Sequence, residues 1–145
     1  MLEFLRLSDS KASLRETREF LAAVPFAQLL AVEIQRTHAD GVTLRCRLHD
    51  PLMNNAGGLH GGVTATLVDI AVAMAVYHHF GRRRAITTVE MKVNYFRPVA
   101  TGTVYARAHL LRVGKRLCVG RVDVVDDRKR AVGVGMATYM ILEDE

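Results

Sequence analysis

The residues best suited to chemistry lie in one run, Asn54-Asn55-Ala56-Gly57-Gly58-Leu59-His60-Gly61-Gly62, and in the segment after it, which carries Asp69. A Gly-Gly pair at a helix start presents backbone N–H groups without Cβ cover. Those orphan donors, with the positive end of the helix dipole, suit an anion or a developing oxyanion. Taken alone, the run is equally that of a flexible loop before an ordinary glycine-rich helix start. Asp69 shifts the balance. At about 100° per residue it shares a face with Gly62, Ala65, Thr66, Ala73 and Val76, one to two turns past the glycines. Small residues admit a ligand or a neighbouring backbone, and a carboxylate in a partly dry cleft can serve as a general base. The plain alternative is a surface Asp satisfied by water.

The elements that must hold these groups follow from periodicity. Ser10 to Val24 reads as an amphipathic helix, capped by Ser10 or Ser13 with Glu16 three residues after Ser13, and Pro25 ends it or starts a short turn through Leu30. Val32 to Arg36 and Val42 to Leu48 read as strands around Ala39-Asp40-Gly41; the second alternates Val42, Leu44, Cys46 and Leu48 with polar residues. Gly61 or Gly62 to about Phe80 is the longest helical candidate, with an apolar stripe of Val63, Leu67, Ile70, Met74 and Tyr77 and a stop at Gly81. Four strand segments follow. Ile86 to Phe96 sets Val89, Met91, Val93 and Tyr95 against Thr88, Glu90, Lys92 and Asn94. Thr103 to Val113 and Leu117 to Val125 flank the tight turn Gly114-Lys115, and Ala131 to Leu142 follows the turn Asp126-Asp127-Arg128. The pattern is that of an α+β domain with an antiparallel sheet.

At 145 residues, half of them apolar, the chain fits one domain with a sizeable core, and no linker divides it. Cys46 and Cys118 read as small buried hydrophobes in a reducing compartment. Met1 to Leu7 mixes Glu3 and Arg6 into a stretch too short for a leader, and no window reads as a membrane span of ~18 apolar residues. The expectation is a cytoplasmic protein. A net charge of +5 favours an anionic partner, but without tryptophan or basic stretches interleaved with aromatics that partner is not nucleic acid. His78 and His79 point apart on a helix, and the six histidines form no cluster with the cysteines, so no metal or other cofactor is expected. Arg82-Arg83-Arg84 complements a helix C-terminus as a solvated cluster, or else contacts phosphates; Arg97, Lys115 and Arg116 carry the same two readings.

His-Gly-Gly, six residues and then Asp, with Asn six before the His, together with Thr88 and the run from Val89 to Pro98, resembles the hotdog-fold thioesterases. The closest likeness is to the branch of the phenylacetate-pathway thioesterase and the mammalian thioesterase superfamily member. It extends from about Pro25 to the C-terminus, through Gly114-Lys115 and Ala137-Thr138-Tyr139. The resemblance implies a single hotdog domain over 1–145, in which 25–145 is the core and 1–24 a helical segment. Its sheet would wrap one long helix and dimerise edge to edge, often into tetramers. It implies acyl-CoA as substrate and active sites between chains, with Asn54, His60 and Gly61 from one and Asp69 with Thr88 from the other.

Thioester chemistry then assigns the roles. The Gly61 N–H, with Gly62 beside it, would polarise the carbonyl and hold the oxyanion, and Asp69 would activate water or attack directly to form an anhydride. Asn54 would orient water or thioester, His60 buttress the turn, and Thr88 hold water or Asp69; a shift of register by one residue would put Thr87 in its place. Arg82, Arg83, Arg84, Arg97, Lys115 and Arg116 would meet the CoA phosphates. Met53, Met74, Tyr77 and Phe80 would line the acyl pocket, which suits aromatic or medium-chain groups alike. The competing functions are a hotdog module that binds acyl-CoA without cleaving it, against which Asp69 argues, and a dehydratase or hydratase, whose His-Phe-Pro type motif is replaced here by His-Gly-Gly.

Overall fold

A computed structural model describes residues 10–142. The absence of a leader in Met1 to Leu7 concerns residues outside these. Helix α1 (Leu14–Ala22) is capped by Ser13 and not by Ser10. The Ser13 Oγ accepts from the Glu16 N–H at 3.1 Å while the Glu16 carboxylate accepts from the Ser13 N–H at 2.7 Å, so two otherwise orphaned donors are satisfied reciprocally. Helix α2 (Pro25–Leu30) has proline at its first turn, where no N–H is missed. Strands β1 (Val32–His38) and β2 (Gly41–Arg47) precede the long helix α3 (Gly61–Phe80), and β3 (Ile86–Tyr95), β4 (Thr103–Val113), β5 (Leu117–Val125) and β6 (Ala131–Ile141) follow it.

The strands form one antiparallel sheet in the order β1-β2-β4-β5-β6-β3. It curls around α3, which is why the expected single apolar stripe is too narrow. Val68, Ala71, Val72, Ala75 and Val76 are as buried as Leu67. Apart from Gly61 and His79 near its ends, only one ridge of α3 stays partly open: Gly62, Ala65, Thr66, Asp69, Ala73, Tyr77 and Phe80. Val76 leaves the small-residue face for the core, and Tyr77 leaves the expected stripe for the open ridge. A helix buried on most sides must be apolar nearly all round. By length and composition α3 is therefore long and apolar enough to cross a membrane, contrary to the expectation that no segment is, although most of it is packed inside the fold.

Two glycines let the sheet close on α3. A Cβ on Gly120 would lie 2.8 Å from a Val72 methyl, and one on Gly135 would lie 2.6 Å from a Val68 methyl. At its C-terminal end α3 stops at Gly81 in the left-handed conformation (φ 68°). There the chain before α1 is tied down: the Ala12 N–H donates to the His78 carbonyl at 2.9 Å, and the buried His78 ring lies between the Ala12 and His38 carbonyls at 2.7 and 2.9 Å.

Candidate active site

Asp69 sits midway along the open ridge of α3, and the sheet supplies what holds it. Its Oδ1 accepts from the Thr88 hydroxyl on β3 and from the Tyr139 hydroxyl on β6, each at 2.7 Å. Oδ2 has no partner among the described residues and is the oxygen left for a water or a carbonyl carbon. Thr88 reaches Asp69 because β3 is irregular. Thr88 pairs with Tyr139 but Glu90 pairs with Thr138, so Val89 is an extra residue. Such a bulge inverts the alternation. The expected grouping of Thr88 with Glu90, Lys92 and Asn94 is thereby corrected: Thr88 faces inward, on the side of Val93 and Tyr95. Thr88, and not Thr87, holds the carboxylate.

Tyr139 was not singled out by sequence. It is 5 % exposed, and a buried tyrosine needs a partner for its hydroxyl. The available signal was its inward parity with Ala137 and Ile141 on the last strand. Burial first, and then the charge of Asp69 and the hydrogen bond to it, push the phenol pKa well above its ordinary value, partly offset by the neighbouring Thr88 hydroxyl. The hydroxyl therefore remains a donor to Asp69. Tyr139→Phe removes one of two donors from a charged acceptor, so kcat should fall roughly tenfold with KM little changed, the order of one charge-assisted hydrogen bond. Steady-state kinetics with unaltered kcat would deny Tyr139 this role.

At the start of α3, His60 is the N-cap, and its Nδ1 accepts from the Gly62 N–H at 2.8 Å. The ring thus buttresses the turn, and the Gly62 donor is engaged. The Gly61 N–H has no acceptor among the described residues. The Tyr95 hydroxyl donates to the Gly61 carbonyl at 2.8 Å, and a Cβ on Gly61 would meet the Tyr95 ring at 3.3 Å. Asn54 shapes the preceding loop. Its Oδ1 accepts from the Ala56 and Gly58 N–H groups at 2.9 and 3.0 Å, which leaves its Nδ2 as the group able to reach a substrate.

Within one chain Asp69 and Gly61 stay apart. Eight residues of helix put Asp69 roughly 12 Å along the axis from Gly61, too far for both to act on one carbonyl. The basic residues divide similarly. Arg82, Arg83 and Arg84 follow α3 at the same end of the fold as Lys115 and Arg116, where the Ile141 N–H donates to the Arg116 carbonyl and the Leu142 N–H to the Ala85 carbonyl. Arg97 lies at the other end, in a cleft of about 360 Å³ that it shares with Gly61 and Tyr95.

A second cleft, of about 340 Å³, opens beside the Asp69 partners Thr88 and Tyr139 and is walled by Met74, Tyr77, Arg84 and Phe20. Of the four residues expected at the acyl pocket, Met74 and Tyr77 line this cleft. Met53 instead pairs with Leu59 in the loop, and Phe80 lies beneath the Arg84 guanidinium, 4.4 Å from it. Phe20 comes from α1, which periodicity identified only as a helix. Among the described residues no three His, Cys, Asp or Glu side chains are gathered as a metal ion would need.

A long helix wrapped by an antiparallel sheet, with a doubly held carboxylate on its open ridge, is an arrangement of the hotdog fold. The thioesterase superfamily model matches residues 56–132. A candidate esterase of Halobacterium salinarum is 31% identical over 127 residues, covering 80% of this chain and 83% of its own. The medium/long-chain acyl-CoA thioesterase YigI of Escherichia coli is 26% identical over 137 residues, covering 84% and 88%. In fold, the crystal structure of a Haemophilus influenzae thioesterase matches with a TM-score of 0.85 at 21% identity, over 94% of this chain and 95% of that one. The chain belongs to the thioesterase superfamily.

Proposed function

We propose that this protein hydrolyses acyl-CoA thioesters to the free acid and CoA, in active sites completed by a second copy of the chain. The observation that carries the proposal is the placement of the two chemical groups. Asp69 is held by hydroxyls with one oxygen left open, while the unpaired Gly61 N–H lies roughly 12 Å away along the same helix. Edge strand β3 supports a way to bring them together. Val89, Met91, Tyr95 and Phe96 are 47%, 39%, 54% and 59% exposed, and a long edge carrying such residues is a liability unless another chain covers it. In a two-fold antiparallel pairing, the start of β3 in one chain meets its end in the other. Thr88 with Asp69 would then approach the partner's Tyr95 with Gly61. Met136, Met140 and Leu117, part-exposed on the sheet, favour a further association of dimers.

In the shared site the Gly61 N–H polarises the thioester carbonyl and takes up its developing negative charge. In one route Asp69 removes a proton from water, the water oxygen bonds to the carbonyl carbon, the C–S bond breaks and the CoA sulfur takes the proton. In the other Asp69 Oδ2 attacks the carbon, CoA leaves as thiolate, and water opens the anhydride. Asn54 orients the thioester through Nδ2. Arg82, Arg83, Arg84, Arg97, Lys115 and Arg116 attract the CoA phosphates, and two-fold pairing would draw the separated basic ends together. The buried free thiols Cys46 and Cys118 suit a cytoplasmic setting.

Subunit mixing tests this. Asn54→Asp keeps the loop acceptor but loses the Nδ2 donor, and Asp69→Asn loses the carboxylate. Each variant alone should be nearly inactive in thiol release from acyl-CoA. After exchange, the mixture should recover about a quarter of wild-type activity, because half the dimers are hybrids and each hybrid has one intact site. Verified exchange with no recovery would refute the shared site.

A further inference from the structure

We propose that Phe20, stacked on Tyr77, closes the far end of the cleft beside Asp69 and sets the length of the acyl group, so that the protein selects straight chains of medium length. The inference rests on the acyl-CoA reading above and assigns its specificity. The cleft lies beside the carboxylate, since Thr88 and Tyr139 both hold Asp69 and form part of its wall. Its floor is the open ridge of α3, where Asp69, Ala73 and Tyr77 succeed one another at intervals of four. The Ala73 methyl leaves room above the helix between the other two, Met74, Val76 and Ile86 add apolar surface, and Thr87 and Arg84 complete the lining. Tyr77 is the last residue of α3 in the cleft lining. Phe20 lies against it with ring centroids 4.0 Å apart and planes 6° from parallel, so two aromatic thicknesses form the end.

This end wall is fixed. Leu21, next to Phe20, is 1% exposed, Arg18 donates to the Ile34 carbonyl, and the chain ahead of α1 is paired with His78. Phe20 lies in the N-terminal segment, ahead of the 56–132 stretch matched by the thioesterase superfamily model. The length follows from geometry. Tyr77 lies roughly 12 Å beyond Asp69 along the helix axis, and an alkyl chain built of C–C bonds of about 1.5 Å advances about 1.25 Å per carbon. The groove therefore admits about eight to ten carbons. A cleft of about 340 Å³ accepts such a chain and leaves the nucleotide outside.

Thiol release from straight-chain acyl-CoA, butyryl to palmitoyl, and from phenylacetyl-CoA tests this with the wild type, Phe20→Ala and Phe20→Trp. Opening the end with Phe20→Ala should raise kcat/KM at least about tenfold for chains longer than the wild-type optimum, the scale at which a pocket discriminates methylenes. The change for butyryl-CoA should be several-fold smaller than that for the long chains, because a short chain does not reach the end. Phe20→Trp retains an aromatic stack and should move the optimum to shorter chains, so the test survives if Phe20→Ala folds poorly. The same length profiles are read independently from thermal stabilisation by fatty acids. If the wild type cleaves no acyl-CoA, the acyl-CoA reading fails, and the fatty-acid profiles still decide the role of Phe20. Identical profiles in all three proteins overturn the proposal, as does a wild-type preference for phenylacetyl-CoA over every straight chain.

Discussion

Asp69→Asn lowers kcat for thioester hydrolysis by ~10²-fold or more, the order associated with losing a general base, while the protein folds and binds substrate as before. The separation of these effects follows from the way the carboxylate is held. Both of its hydrogen bonds, from Thr88 and Tyr139, converge on Oδ1. An asparagine carbonyl oxygen in that place accepts both, and the amide nitrogen falls where the open Oδ2 was. The scaffold keeps its bonds while the proton acceptor and the nucleophile are lost together. Binding persists because neither the Gly61 N–H nor the basic residues are altered. Removing a partly desolvated charge is neutral or stabilising for folding. Thiol release, binding of a non-hydrolysable acyl-CoA analogue and thermal melting, measured on the same preparation, separate the outcomes. Hydrolysis near the wild-type rate would remove Asp69 from the chemistry. Loss of activity together with a large fall in melting temperature would make its role structural.

Gly135→Ala destabilises the fold by about 1–3 kcal/mol, the usual cost of overpacking a core, although it adds only a methyl group to a strand. That methyl would lie 2.6 and 2.8 Å from the two methyls of Val68 and 3.1 Å from the Lys92 carbonyl oxygen. Val68 is fully buried on α3. The close approach of helix and sheet at this point depends on the missing side chain. Val68→Ala in the Gly135→Ala background should restore part of the stability, because the two residues compete for the same space. The coupling energy should reach about 0.5–3 kcal/mol, as for residues in contact. Urea unfolding of both single variants and the double variant, at one fixed protein concentration, gives the value. Additive losses would mean that the clash is relieved by backbone movement elsewhere.

Much of the fold was legible in the sequence because its signals are local. The start of α3 is marked by His60 and the two glycines, and its end by Gly81, whose left-handed conformation a residue with a Cβ adopts at a cost. Alternation located the strands to within a few residues, and Gly114-Lys115 and Asp126-Asp127-Arg128 gave the turns between the last three. Asp69 stood out as a carboxylate among small residues, and the structure places those residues, apart from Val76, on the one ridge of α3 that the sheet leaves open. The motif from Asn54 to Asp69 was sufficient to suggest the family.

What the sequence left undecided depends on partners distant in the chain. The direction of Thr88 is set by the bulge at Val89, which exists only in the pairing of β3 with β6. Tyr139 reaches Asp69 from 70 positions away, and Phe20 reaches Tyr77 across the whole of β1, β2 and the glycine loop. The one-stripe expectation for α3 failed because helical periodicity describes a helix with one covered side, whereas the sheet curls around this one. The separation of Asp69 from Gly61 was implicit in the helical rise, but it became a constraint on the site only once both groups were seen at the same sheet edge. Local sequence fixes which backbone conformation each segment prefers; which side chains meet is decided by strand pairing and burial, whose energies depend on the whole chain at once.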